Sequence, residues 1–140
     1  MADTFRIEIA TPERLLASED AVRAQVPLKN GFIGVLPDHA PLLSELGIGA
    51  LTYVTPGDHK FSVAIKAGFC EILNNCVRIL SDQAERGHEI DEAQAQRDLR
   101  QAEQEVLNPA VGIDIASALS AYFHAQARIE AARKEANKEE

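Results

Sequence analysis

The chain has 140 residues, with 14 Lys+Arg against 22 Asp+Glu and a formal net charge of −8. That length suits one domain plus an appendage and excludes a TIM barrel, which needs about 250 residues. The acidic balance, with no clustered basic block, excludes nucleic acid as the main partner, and no apolar run approaches the roughly 18 residues that span a bilayer.

Up to about Arg86 the sequence reads in twos, the period of strands with one buried face. Phe5, Ile7 and Ile9 alternate with Arg6 and Glu8. Val22, Ala24, Val26 and Leu28 alternate with Arg23, Gln25 and Pro27. Leu46, Ile48 and Ala50 lead into a shifted set, Leu51 and Tyr53. The longest alternation runs Phe61, Val63, Ile65, Ala67, Phe69, and Val77 with Ile79 gives a last short one. Turn signals separate these runs at Lys29-Asn30-Gly31, Thr55-Pro56-Gly57-Asp58 and Leu73-Asn74-Asn75. Many short strands at close spacing predict an antiparallel β-sandwich or barrel. With no Trp and 5% aromatic residues, its core is aliphatic.

After Gly87-His88 the composition turns to Ala, Glu, Gln and Arg, which favour helix. Ala95, Leu99, Ala102 and Val106 share one helix face, and Asp91 with Gln94 predicts a capping box at its start. Asn108-Pro109 and Gly112 break the helix. Asp114 can cap a second, whose stripe is Ala118, Tyr122, Ala125, Ile129, Ala132 and Ala136. Residues 138–140 should fray. The expected division is a β domain over residues 1–87 and a two-helix hairpin over 88–140. Stripes of Ala bury little area, so the hairpin should be loosely held and able to detach. Six acids against two bases make the stretch from Glu89 to Glu105 acidic; three bases, Arg128, Arg133 and Lys134, against Glu130 make the second helix basic. The two can attract when folded, and the second can meet an acidic partner when free.

Residues 31–43 read GFIGVLPDHAPLL. Gly31 and Gly34 permit close backbone approach. Pro37 and Pro41 bracket Asp38-His39-Ala40 and fix the backbone on both sides. The product is a stiff, exposed loop with an apolar exit at Leu42-Leu43, a common form of docking surface.

This stretch resembles the loop of the epsilon subunit of bacterial and chloroplast F-type ATP synthases, a family with a Gly-x-x-Gly-x-x-Pro-x-His-Ala-Pro-Leu-Leu run. The likeness continues at Lys66-Ala67-Gly68-Phe69-Cys70-Glu71-Ile72 and from Val77 through Arg86 to Ile90-Asp91. It implies an all-β N-terminal domain, a flattened antiparallel β-sandwich of about ten strands, followed by a C-terminal α-helical hairpin. It implies a non-catalytic rotor subunit whose partners are the gamma subunit, the c-ring and the catalytic alpha/beta hexamer. Docking on gamma and the c-ring would fall to Phe32, Pro37, Asp38, His39, Ala40, Pro41, Leu42 and Leu43. The hairpin would switch between a folded and an extended form, the latter restraining ATP hydrolysis through Arg128, Arg133 and Lys134 against the beta subunits. Replacing all three should weaken inhibition and leave folding alone. The implied location is the cytoplasmic face of the cell membrane, reached through the complex, in keeping with residues 1–14, which lack a signal-peptide core.

Some members bind ATP through an Ile-Asp-x-x-Arg-Ala motif and two basic residues on the second helix. Here Ile90 and Asp91 match, Gln94 replaces the Arg, His124 takes one basic position and Arg128 the other. Losing a fixed cation removes a charge-assisted bond to phosphate, so no cofactor is expected and ATP is not expected as a regulatory ligand.

Other readings fare worse. Asp38-His39 as an acid–base pair lacks a nucleophile pattern. His39, His59, His88 and His124 have no metal-ligand spacing. Cys70 and Cys76 fit two free thiols. The alternative in another class is a stand-alone β-sandwich binding module with a helical regulatory tail.

Overall fold

The described residues form eight strands, most of them with alternating apolar residues: β1 (Phe5–Ala10), β2 (Leu15–Ala21), β3 (Arg23–Leu28), β4 (Gly31–Val35), β5 (Leu42–Glu45), β6 (Ile48–Thr55), β7 (His59–Leu73) and β8 (Cys76–Arg86). A 3-10 turn (Gly87–Glu89) leads into helices α1 (Glu92–Leu107) and α2 (Ile115–Ala136). The computed structural model describes residues 2–136; the fraying expected at 138–140 lies outside them.

The strands follow the order β2-β1-β8-β7-β6-β3-β4, with β5 also paired to β7. All pairings are antiparallel except β1 with β8, which places Ile7 beside Val77 and Ile9 beside Ile79 in parallel register. Eight continuous strands stand where about ten were expected, because β7 and β8 are 15 and 11 residues long. β7 holds β6 along its first half and β5 along its second.

The break between those halves corrects one run of the alternation. Phe61, Val63 and Ile65 face the core, but Ala67 and Gly68 take positive φ values of 63° and 116°. The strand therefore changes faces: Cys70 and Ile72 enter the same core, while Phe69 is exposed. The buried Ser81 hydroxyl lies 2.9 Å from the Ala67 carbonyl oxygen and 2.7 Å from that of Gln83, within reach of the groups that the break frees.

The main core is aliphatic and gathers Ile7, Ile9, Val26, Leu51, Val63, Ile65, Ile72 and Ile79 around Tyr53. Tyr53 stacks on Phe61 and donates its buried hydroxyl to Glu19 Oε2 at 2.6 Å. No described residue of the hairpin belongs to this core. The hairpin has its own small contact with the sheet, in which Ala131 of α2 meets Ala50 and Ala64, flanked by Ile90. α2 lies on β6 and β7, and α1 packs on α2.

One ion pair fastens the start of the hairpin to the β-sandwich. Arg14 grips Glu89 through both nitrogens, at 2.8 and 2.9 Å. That pairing is the main reason the Glu89 carboxyl is lowered from 4.5 to about 2. A depressed folded value means stability present above the unfolded value and lost as the carboxyl protonates. The thermal-melt difference between the native chain and Arg14→Ala should therefore be full at neutral pH and shrink as pH falls from 4.5 toward about 2. A difference constant across that window would count against the pairing.

Candidate functional site

Two surfaces carry the residues singled out in the sequence. The first is the loop between β4 and β5. β4 pairs with β3 in register from Ala24↔Val35 to Leu28↔Gly31, and β5 returns against β7 with Leu42 opposite Ile72. Residues 36–41 thus cross from the end of the strand order to the far half of β7.

The two prolines do not hold this loop alone. Asp38 adopts φ 64°. Its N–H donates to Asn75 Oδ1 at 2.8 Å, and its Oδ2 accepts from the N–H of Ala2 at 2.9 Å. Asn75 also donates through Nδ2 to the Thr4 carbonyl at 2.6 Å. Asn74 and Asn75 form the two-residue hairpin turn between β7 and β8, both at positive φ, as primed hairpin turns require. One turn residue therefore pins this loop to the segment just before β1. Its Asn-Asn signature gave the turn; its partner 37 positions away was invisible to spacing.

His39 lies 2.7 Å through Nδ1 from the Ala40 carbonyl oxygen, which can only accept. Nδ1 therefore carries a proton and donates it to that carbonyl. Asp38 and His39 are each engaged elsewhere rather than with one another. Phe32, Leu36 and Leu43 are 53%, 63% and 73% exposed. Large apolar side chains displayed around a pinned loop are what a partner interface needs. Leu42 behaves differently, packing against the core.

The second surface is the hairpin. Asp91 caps α1, accepting from the Gln94 N–H at 3.1 Å. The Gln94 side chain does not close the capping box; it reaches Asp98 and Arg97 instead. Asp114 caps the start of α2 through the Ala116 N–H and the Ser117 hydroxyl. Of the expected stripes, Ala95, Ala102, Ala118 and Ala125 are buried, and Leu99, Val106, Tyr122, Ile129 and Ala132 are partly buried.

The attraction between an acidic and a basic helix takes specific form. Arg128 is 16% exposed and bridges Glu85 of β8, at 2.8 Å, with Asp98 of α1, at 3.3 Å. Arg133 pairs with Glu92 of α1 at 3.1 Å, and Lys134 with Glu130 on its own helix at 2.6 Å. Arg128 is thus both a surface candidate and the tie that joins both helices to the sheet. Replacing it alters the folded hairpin, which changes the expectation that folding would be untouched.

The residues matching an ATP motif do other work. Ile90 packs on the Ala cluster, Asp91 caps α1, and Arg128 is neutralised by two carboxylates. Between the helices and Lys66 lies a cavity of about 250 Å3, lined also by Asp98, Glu105, His124 and Arg128. That is smaller than the roughly 300–1,000 Å3 usual for small-molecule sites. His124 is pushed down by burial and by Lys66 and Arg128, which favours its neutral form. The cavity thus sets two acids, an arginine already paired and an imidazole favoured neutral beside Lys66.

Among the described residues no group of His, Cys, Asp and Glu could hold a metal ion, and no helix is long and apolar enough to cross a membrane. Cys70 and Cys76 are free, and burial raises the Cys70 thiol to about 11.

The chain is an eight-stranded β-sandwich that displays a pinned loop with exposed apolar side chains and carries a charge-paired helical hairpin on one face. Residues 4–87 match the model of the beta-sandwich domain of the ATP synthase delta/epsilon chain. The chain is 48% identical over 134 residues to the ATP synthase epsilon chain of Solibacter usitatus, covering 96% of this chain and 99% of that one. It is 48% identical over 104 residues to that of Koribacter versatilis, covering 74% and 72%. A chain of the Euglena gracilis mitochondrial ATP synthase shares the fold, with a TM-score of 0.81 at 21% identity over 95% of this chain and 83% of that one. The chain belongs to the ATP synthase delta/epsilon chain family.

Proposed function

We propose that this chain is an epsilon-type subunit of a rotary ATP synthase. It is a non-catalytic part of the central stalk, which couples ion flow through the c-ring to ATP synthesis from ADP and phosphate. The observation that carries this reading is the match over residues 4–87, because it falls on the sandwich that displays the pinned loop. Family membership displaces the alternative of an unrelated binding module. The subunit joins a membrane-associated complex peripherally, on the cytoplasmic face of the cell membrane. Its partners are the gamma subunit, the c-ring and the catalytic alpha/beta hexamer.

Docking on gamma and the c-ring falls to Phe32 and to the loop residues Pro37, Asp38, His39, Ala40, Pro41, Leu42 and Leu43. Exposure of Phe32 and Leu43 supports this, together with the polar pins that hold Asp38. Leu42 contributes by anchoring β5 in the core.

The hairpin is a regulatory arm. When it lifts, Arg128 and Arg133 leave Glu85, Asp98 and Glu92 and, with Lys134, become free to meet acidic groups of the beta subunits. Changing Arg128, Arg133 and Lys134 together to Ala should relieve inhibition of ATP hydrolysis severalfold and loosen the folded arm by about 1 kcal/mol through loss of the Arg128 bridge. Steady-state hydrolysis by the reconstituted complex measures the first and thermal unfolding the second. Unchanged hydrolysis would remove these side chains from the mechanism.

The arm works without bound ATP. Calorimetric titration of the isolated chain with Mg-ATP should show no heat of binding at millimolar nucleotide, and saturable binding there would overturn this point.

A further inference from the structure

The sheet-facing side of α2 ends in a group that an Ala-rich contact does not call for. Glu135 is 5% exposed, and a buried carboxylate is rare unless it is paired. Its Oε2 accepts from the backbone N–H of Ser62 in β7 at 3.1 Å. Its Oε1 accepts from His88 Nδ1, in the 3-10 turn, at 2.8 Å. The position of Ser62 explains the first bond. Pairing between β7 and β8 ends at Val63↔Arg86, and the next N–H along β7 goes to the helix instead. The Ser62 hydroxyl adds a bond to the Ala131 carbonyl, one turn back along α2.

Gly87 completes the seat. A Cβ there would stand 2.6 Å from Glu135 Oε2, 2.6 Å from the Ala131 carbonyl oxygen and 2.9 Å from the Ser62 hydroxyl. The helix can settle at this depth only over a glycine.

We propose that Glu135, received by Ser62 and His88 over Gly87, is the latch that holds the arm against the β-sandwich and fixes its register. The surrounding contact, Ala131 on Ala50 and Ala64, buries too little apolar area to fix one position by itself. A buried carboxylate with hydrogen-bond donors is selective for one geometry. It adds little net affinity, because water receives the same group once it is released. That combination suits an element that must be placed in one way yet leave readily. The latch rests on the reading of the hairpin as a regulatory arm.

The test uses the full chain, with a donor–acceptor dye pair spanning α2 and the β-sandwich, alone and in the reconstituted synthase. Glu135→Gln keeps the shape and one acceptor oxygen but sets its amide N–H2 against one of the two groups that the carboxylate receives, the Ser62 N–H or His88 Nδ1. It should lower the docked population about tenfold or more. Gly87→Ala, which attacks the seat from the sheet side, should do the same and leave Glu135 in place. Ser62→Ala keeps the backbone donor and should have a smaller effect. Docked populations unchanged in both Glu135→Gln and Gly87→Ala would overturn the latch. Undocking in both with no change in ATP hydrolysis by the synthase would leave the latch standing and remove the arm from regulation. Should Glu135→Gln fail to fold, Gly87→Ala decides alone.

Discussion

A chain stopped after Arg86 should assemble into the synthase and release ATP hydrolysis from restraint, raising the steady-state rate severalfold over the complex with the full chain. The physical ground is the separation of the two cores. The aliphatic cluster around Tyr53 draws on every strand, β5 through the partly buried Leu42, and no described residue of α1 or α2 belongs to it. What the truncation uncovers is a small-residue surface, Ala50, Ala64 and Ser62, rather than a large apolar patch. At about 25 cal/mol per Å2, that surface gives the sandwich little of its stability. The clamp from Arg14 to Glu89 is lost as well, but it lies on the surface and joins the arm to the sandwich rather than the sandwich to itself. The docking loop is untouched, since its pins come from Ala2 and Asn75. Retained restraint in an assembled, truncated complex would place the inhibitory contact in the β domain.

Gly68→Ala should be the most damaging single change in the sandwich. A Cβ at this position would fall on the Leu80 carbonyl and stand 2.8 Å from Ser81 Cα, both backbone and so unable to swing away. The residue also holds φ at 116°, which L side chains rarely adopt. Strain and overpacking together predict a loss of about 3 kcal/mol or more. For a domain of this size that means a fall in Tm of about 10 °C or more. The damage reaches function through topology. The break at Ala67-Gly68 turns Cys70 and Ile72 into the core and sets the half of β7 on which β5 lies. Thermal unfolding measures the loss; a shift of less than about 3 °C would mean that the strand can change faces without glycine.

The same break shows where sequence reasoning stops. Period two carried β1, β3 and the first half of β7, because one face is apolar in each. It ran on through Ala67 to Phe69 because the apolar pattern continues across the break. The change of face becomes visible only when Cys70 and Ile72 are read as a second phase after a glycine. β2 escaped because Leu15–Ala21 carries Ser18, Glu19 and Asp20, and only Leu16, Ala17 and Ala21 are buried hydrophobics. The parallel pairing of β1 with β8 joins residues about seventy positions apart and leaves no local mark.

The loop was legible as a stiff, exposed element from its prolines, while its attachment through Asn75 was not. In α2 the stripe toward α1 was read correctly, but Ala127, Ala131 and Glu135 form a second buried face at i, i+4 and i+8. A helix apolar on one side and Ala-lined on another has no single strong face. A glutamate in its last turn reads as surface charge until the sheet is placed beneath it.

The most direct measurement of the central claim is co-purification of the chain truncated after Arg86 with tagged gamma subunit and c-ring. The account predicts a stoichiometric complex that survives washing, as for the full chain, and its loss when Phe32 and Leu43 are both changed to Asp. A truncated chain that folds, by circular dichroism, yet binds neither gamma nor the c-ring would contradict it.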